Sequence, residues 1–246
     1  MILADYCRGL LDLCLPPVCL VCGKQRSKES GLCDRCLAFK PNPAPYCATC
    51  GITAYTGLVD GLCRRCRRTA FYFDWNRSPF LFEAPLSKAV HLFKYGGCDW
   101  LGQIFAQKLI EYITTVTIPL AEYDVITFVP LHRVKLRERE YNQSRILAQR
   151  LGAFFGLEVC PALGVKEYRT SQSRLDYRQR KESVSNNFFV SQQVSGKKMI
   201  LIDDVFTTGA TLSECARVLK EKGAREVVSI TLSIRNLPIQ KHANNP

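Results

Sequence analysis

Long apolar runs are missing from this chain. No stretch approaches the roughly 18 uninterrupted apolar residues of a membrane span, so no membrane span is expected. The N-terminal segment, residues 2–18, is apolar but broken by Asp5, Arg8 and Asp12, and it lacks a basic leader and a small-residue cleavage pattern. It reads as a short amphipathic helix ending before Pro16-Pro17, and the default expectation is a cytoplasmic protein. Histidine is scarce: His91, His132 and His242 follow no metal-ligand spacing, which argues against a histidine metal centre. Aliphatic periodicity is sparse between residues 16 and 70, so that stretch needs something other than a core to hold it. Acid is in deficit, with 22 Asp and Glu against 34 Lys and Arg and a net charge of +12. Such a surface attracts nucleic acid or phosphorylated substrates in a salt-sensitive way, or is simply a solvated face.

Cysteine, by contrast, is abundant at 13 residues in a chain of 246. Cys19-x2-Cys22 is followed after ten residues by Cys33-x2-Cys36, and Cys47-x2-Cys50 after twelve by Cys63-x2-Cys66. Two CxxC turns complete a tetrahedral shell and leave no position for water, so the spacing predicts structural Zn²⁺ sites. An interleaved set joining Cys19 and Cys22 to Cys47 and Cys50 has the same ligand count, and spacing alone leaves the pairing and the number of ions open. Redox chemistry is the competing use of CxxC, which four units with ribbon-like spacing disfavour. Cys7, Cys14, Cys98, Cys160 and Cys215 lack a CxxC companion and are assigned to packing or surface. Arg64, Arg65, Arg67 and Arg68 form a dense basic run suited to the phosphates of single-stranded DNA. Phe71, Tyr72, Phe73 and Trp75 follow, and read as the start of the next core in preference to base-stacking rings.

Residues 199–212 carry the chemistry. Met199 to Ile202 is a continuous apolar run suited to a central parallel strand, and function belongs at such a strand's C-terminal end. There Asp203 and Asp204 can accept hydrogen bonds from vicinal sugar hydroxyls. Thr207, Thr208, Gly209, Ala210 and Thr211 can offer hydroxyls and backbone N–H groups to a phosphate, backed by the positive end of a helix over 212–222. The bland alternative is an ordinary strand-to-helix turn capped by threonine; the full string favours a phosphosugar site.

Elsewhere beyond residue 71, strands are expected near 78–82, 123–129, 157–165, 188–190, 198–202 and 226–233, with helices over 85–95, 100–115 and up to about 155. Leu86, Ala89, Val90 and Phe93 share one face of the first helix. The alternation predicts a doubly wound, mostly parallel α/β sheet. The expected division is a zinc-ribbon module over 1–70, an α/β domain over 71–235 and a frayed tail over 236–246.

The chain resembles the ComF family, in which a double zinc ribbon is joined to a type I phosphoribosyltransferase-like domain. The resemblance rests on Asp203 to Thr211, the paired CxxC set, Lys94-Tyr95-Gly96-Gly97, and Arg139 with Tyr141-Asn142-Gln143. It implies that the loop binds phosphoribosyl pyrophosphate (PRPP) with Mg²⁺ held mainly by the ligand's oxygens and water. Lys94, Arg133 or Arg139 would then neutralise departing pyrophosphate. Arg169, Thr170, Gln172, Ser173, Leu175, Arg180, Asn186 and Phe188 resemble the family's hood. The family commonly has glycine where this chain has Glu140; that carboxylate either faces solvent or weakens pyrophosphate binding. The implied role is in natural transformation, handling incoming single-stranded DNA. An active phosphoribosyltransferase on an unknown acceptor and a zinc-ribbon adaptor for a DNA-uptake helicase are the alternatives.

Overall fold

The computed structural model describes residues 18–24, 31–53, 57–167 and 186–236. The helix expected before Pro16-Pro17, residues 168–185 of the hood and residues 237–246 of the tail lie outside them.

Three buried strands form the centre: β3 (Val125–Phe128), β6 (Lys198–Phe206) and β7 (Glu226–Ile234), all parallel. Their near-continuous apolar runs are what a sheet covered on both faces requires. β1 (Asn76–Arg77) and β2 (Phe80–Leu81) both pair with β7 in one register, Asn76 opposite Ser229 and Phe80 opposite Ser233. The strand expected at 78–82 is therefore one strand in two pieces. Pro79, which has no N–H to give the ladder, sits at the break.

Residues 157–165 depart from expectation. Only 158–160 borders the sheet, with Ile126 N–H donating to the Glu158 carbonyl and Cys160 N–H to that of Ile126. Pro161 ends that pairing, and β4 (Leu163–Val165) instead pairs antiparallel with β5 (Phe188–Val190) as a separate two-stranded ribbon.

The helices are α1 (Asp34–Leu37), α2 (Leu86–Tyr95), α3 (Leu101–Thr115), α4 (Arg133–Arg139), α5 (Gln143–Phe155) and α6 (Ala210–Glu221). α2 buries the predicted face of Leu86, Ala89, Val90 and Phe93. Where a single helix was expected after residue 131 there are two, α4 and α5, separated by a left-handed turn at Glu140.

The cysteine-bearing segments are not appendages. Leu32, Cys36 and Phe39 share a core with Leu101 and Phe105 of α3. Cys47 and Cys50 share one with Phe73, Phe206 and Leu212. Thr49 accepts a hydrogen bond from Asn76 N–H, Lys40 one from Leu81 N–H, and Asn42 N–H donates to Pro79. The segment between and within the cysteine sets thus runs along β1 and β2, the outer strands of the sheet.

Candidate phosphosugar site and metal centres

β6 extends beyond the apolar run that announced it, and Asp203 is still paired opposite Thr231 of β7. Backbone pairing therefore fixes the acids. The two oxygens of Asp204 lie 2.8 and 2.7 Å from Lys94 Nζ at the end of α2. Asp203 Oδ1 accepts from the Ser144 hydroxyl at 2.9 Å and from the Asp204 N–H at 2.9 Å. Burial, followed by the negative charge of Asp204, pushes the Asp203 carboxyl up to about 7; Lys94, Ser144 and the Asp204 amide offset this only in part.

The strand then turns sharply into α6. Gly209 is the N-cap at φ +71°, and a Cβ there would come within 2.6 Å of the Phe206 ring. Glycine is required twice over, for the dihedral and for the space. Ala210 N–H donates to Thr208 Oγ at 3.3 Å. The first turn of α6 carries no acid, so its N–H groups and the helix dipole present positive potential beside Asp203 and Asp204.

A cationic side faces the acids. Arg139 donates to the Tyr95 hydroxyl at 2.8 Å and to Gln143 Oε1 at 3.3 Å, and lies 4.7 Å from the Tyr95 ring centre. Burial first, then Arg139 and Lys94, lowers the affinity of Lys135 for its proton. Lys135 is thus near enough to both Arg139 and Lys94 to be repelled by them, a concentration of positive charge that suits an anion. Arg133 is exposed and makes no hydrogen bond or ion pair among the described residues.

The Tyr141-Asn142-Gln143 string fastens this arrangement. Tyr141 OH and Gln143 Nε2 both donate to the Phe93 carbonyl, at 2.7 and 3.0 Å. Asn142 caps α5 through Arg145 N–H and donates to Val129 at the end of β3. Lys94 is thereby held over Asp204 by its neighbour's backbone. Glu140 is exposed, with φ +66°, the left-handed conformation that glycine adopts most easily. Of the hood residues, Asn186 and Phe188 are described: Asn186 N–H donates to Glu214 of α6, and Phe188 is buried in β5.

The fold resolves the cysteine pairing in chain order. The ligand sulfurs of Cys19, Cys22, Cys33 and Cys36 lie within 4.8 Å of one another, as do those of Cys47, Cys50, Cys63 and Cys66. Cys22 and Cys33 are 3.7 Å apart and Cys50 and Cys63 3.8 Å. A tetrahedral ion with bonds of about 2.3 Å sets its sulfurs about 3.8 Å apart, so both sets fit Zn²⁺. Hydrogen bonds among the sulfurs push Cys47 down and Cys50 and Cys66 up; four thiolates this close need a cation to share.

Arg64, Arg67 and Arg68 are exposed, whereas Arg65 is half-buried and points at the phosphate loop, donating to the Thr207 carbonyl at 3.4 Å. Phe73 is buried and stacks on Phe71 at 4.8 Å, while Tyr72 is exposed. Sequence reasoning gave no site role to Ser144 or Lys135 and named Tyr95 only as part of the Lys94-Tyr95-Gly96-Gly97 string. The i, i+4 spacing of Lys135 and Arg139 is the signal that recognising α4 as a helix supplies.

The geometry defines a double cysteine-ligated metal module fused to a phosphoribosyltransferase-type sheet. Residues 10–67 match the double zinc ribbon domain and residues 145–242 the phosphoribosyl transferase domain. The "DNA utilization protein YhgH" of Salmonella typhi is 30% identical, covering 89% of this chain and 94% of its own. "Competence protein F" of Haemophilus influenzae is 26% identical over 85% and 93%. "Competence protein ComFC" of Streptococcus pneumoniae is 26% identical over 87% and 98%. The chain belongs to the ComF family that these relatives represent. No helix among the described residues is long and apolar enough to cross a membrane.

Proposed function

We propose that this chain binds Mg²⁺·PRPP at the C-terminal end of β6 and single-stranded DNA along its second zinc module, acting in the cytoplasm during natural transformation. One observation carries the first half. An acid pair, a helix N-terminus behind a glycine turn and a cluster of three cations converge on one end of one strand.

Each part matches a part of the ligand. Asp203 and Asp204 orient the ribose hydroxyls, the N–H groups and hydroxyls of Thr207 to Thr211 take the 5-phosphate, and Lys94, Lys135 and Arg139 face the pyrophosphate. Lys94 spans the two halves, because its ammonium group already touches Asp204. Asp203 and Asp204 would hold water of a Mg²⁺ bound mainly by the ligand's own oxygens, and that ion would supply charge neutralisation. The DNA half rests on three exposed arginines in and just after one CxxC turn, the net charge of +12, and relatives named for DNA utilization and competence.

A second reading is an active transferase. There the acceptor's nucleophilic atom bonds to C1 as the C1–O bond to pyrophosphate breaks, Asp203 and Asp204 hold the ribose hydroxyls, and Lys94, beside Asp204, takes up charge on the leaving pyrophosphate.

Calorimetric titration of the zinc-loaded chain with Mg²⁺·PRPP, with and without single-stranded DNA, tests the proposal. Saturable binding abolished by Asp203→Ala with Asp204→Ala is expected, and a DNA-dependent affinity would couple the two ligands. Absence of PRPP binding leaves an adaptor, its zinc module docking on a DNA-uptake helicase.

A further inference from the structure

Arg65 stands between Cys63 and Cys66, inside the CxxC turn of the second metal set. Its backbone is held there, for its carbonyl accepts from the N–H groups of Arg68 and Thr69, both at 2.9 Å, and Arg67 N–H closes the same turn on Cys63. Its side chain leaves the module altogether. The guanidinium lies 5.0 Å from the Phe71 ring centre and 5.6 Å from that of Phe206, and donates to the Thr207 carbonyl at 3.4 Å. Phe206 is the last residue of β6 and Thr207 the first of the phosphate loop.

The same two rings floor the loop. At Gly209 an added Cβ would meet Phe206 at 2.6 Å and Phe71 at 3.0 Å, so the turn is curled directly onto them. Tyr72 N–H, next in the chain, donates to Ser213 in the first turn of α6 at 3.1 Å. Residues 65, 71 and 72 thus grip residues 206, 207, 209 and 213 across a sequence gap of some 140 residues. Only Arg65 among them is anchored within a metal-binding turn.

We propose that Arg65 is a positioning residue through which occupation of the second cysteine set orders the phosphate loop, so that affinity for PRPP depends on that zinc site. This rests on the loop binding PRPP. With the set filled, Cys63 and Cys66 are pinned, Arg65 between them is pinned, and the Thr207 carbonyl is turned away from the ligand toward the guanidinium. The following N–H groups are then left facing the phosphate. With the set empty, the knuckle that aims Arg65 has nothing to close on, and the loop must pay for its own ordering on binding.

The test compares wild type, Arg65→Ala, Cys66→Ser and the double variant in three measurements: bound zinc by native mass spectrometry, amide exchange across residues 206–211 without ligand, and Mg²⁺·PRPP affinity. Arg65→Ala is expected to keep two zinc ions yet exchange faster across the loop and bind PRPP about tenfold more weakly. Cys66→Ser should lose one ion and show the same loop behaviour, with no further loss in the double variant. Loop exchange in Arg65→Ala equal to wild type overturns the proposal. So does a Cys66→Ser effect of undiminished size in the Arg65→Ala background. Should Arg65→Ala not retain both ions, Arg65→Lys, which keeps the cation without the flat face, carries the same comparison. Wild type failing to bind PRPP would defeat the ligand assignment while the exchange data still judged the coupling.

Discussion

Glu140 occupies a left-handed turn at φ +66° between α4 and α5 and is exposed, so the conformation, not the carboxylate, is what the position demands. Glu140→Gly should raise stability by about 1 kcal/mol, read from urea unfolding, whereas Glu140→Gln should leave both stability and PRPP affinity near wild type. A large gain in affinity for Glu140→Gln would instead mean that the charge reaches the pyrophosphate. Asp203 makes a different prediction. Its folded carboxyl titrates at about 7, well above an unfolded aspartate, so between pH 4 and 7 the folded chain holds a proton that the unfolded chain has released. Stability therefore falls as pH rises through that window. Asp203→Asn should remove this slope and gain on the order of 2 kcal/mol over wild type at pH 8, while losing PRPP binding. Parallel stability profiles for the two proteins at pH 5 to 8 would sink the assignment of a raised Asp203 carboxyl.

The end of α2 depends on residues some 50 positions away in sequence. Phe93 lies in the last turn of α2, where helix carbonyls have no partner within the helix, and Tyr141 and Gln143 supply two donors. Tyr141→Phe should cost about 1 kcal/mol and weaken PRPP binding by loosening Lys94 over Asp204; a stability loss with unchanged affinity would separate the cap from the site. This linkage was invisible in sequence, where the string reads only as a motif. A helix with one buried face and a strand buried on both were legible: Leu86, Ala89, Val90 and Phe93 repeat at helical spacing, and 199–202 is uniformly apolar. α4 was not, because it buries no residue and so has no apolar stripe to betray its period. Pro161 interrupts an apolar run that looks continuous by hydropathy alone, and the half of the outer strand before Pro79, Asn76 and Arg77, carries no apolar signal. The cysteine pairing was equally closed to spacing, since two equivalent groupings share one ligand count and only the fold separates them.

For the whole molecule, the exposed arginines and net charge of +12 predict single-stranded DNA affinity that falls steeply with salt, and Arg64, Arg67 and Arg68 replaced together by alanine should flatten the log-log slope by about 2 to 3. An unchanged slope would place the DNA elsewhere. Native mass spectrometry should find two zinc ions per chain, consistent with two cysteine sets of matching geometry. The run of the cysteine-bearing segment along β1 and β2 carries one more consequence. Thr49, Lys40 and Asn42 occupy hydrogen-bonding groups of those outer strands, groups that in a bare sheet would recruit strands from other molecules. Chelation should therefore do more than soften the fold: it should uncover a template for self-association, seen as light scattering that grows with protein concentration. Zinc supply, in that case, sets how much of the protein stays dispersed.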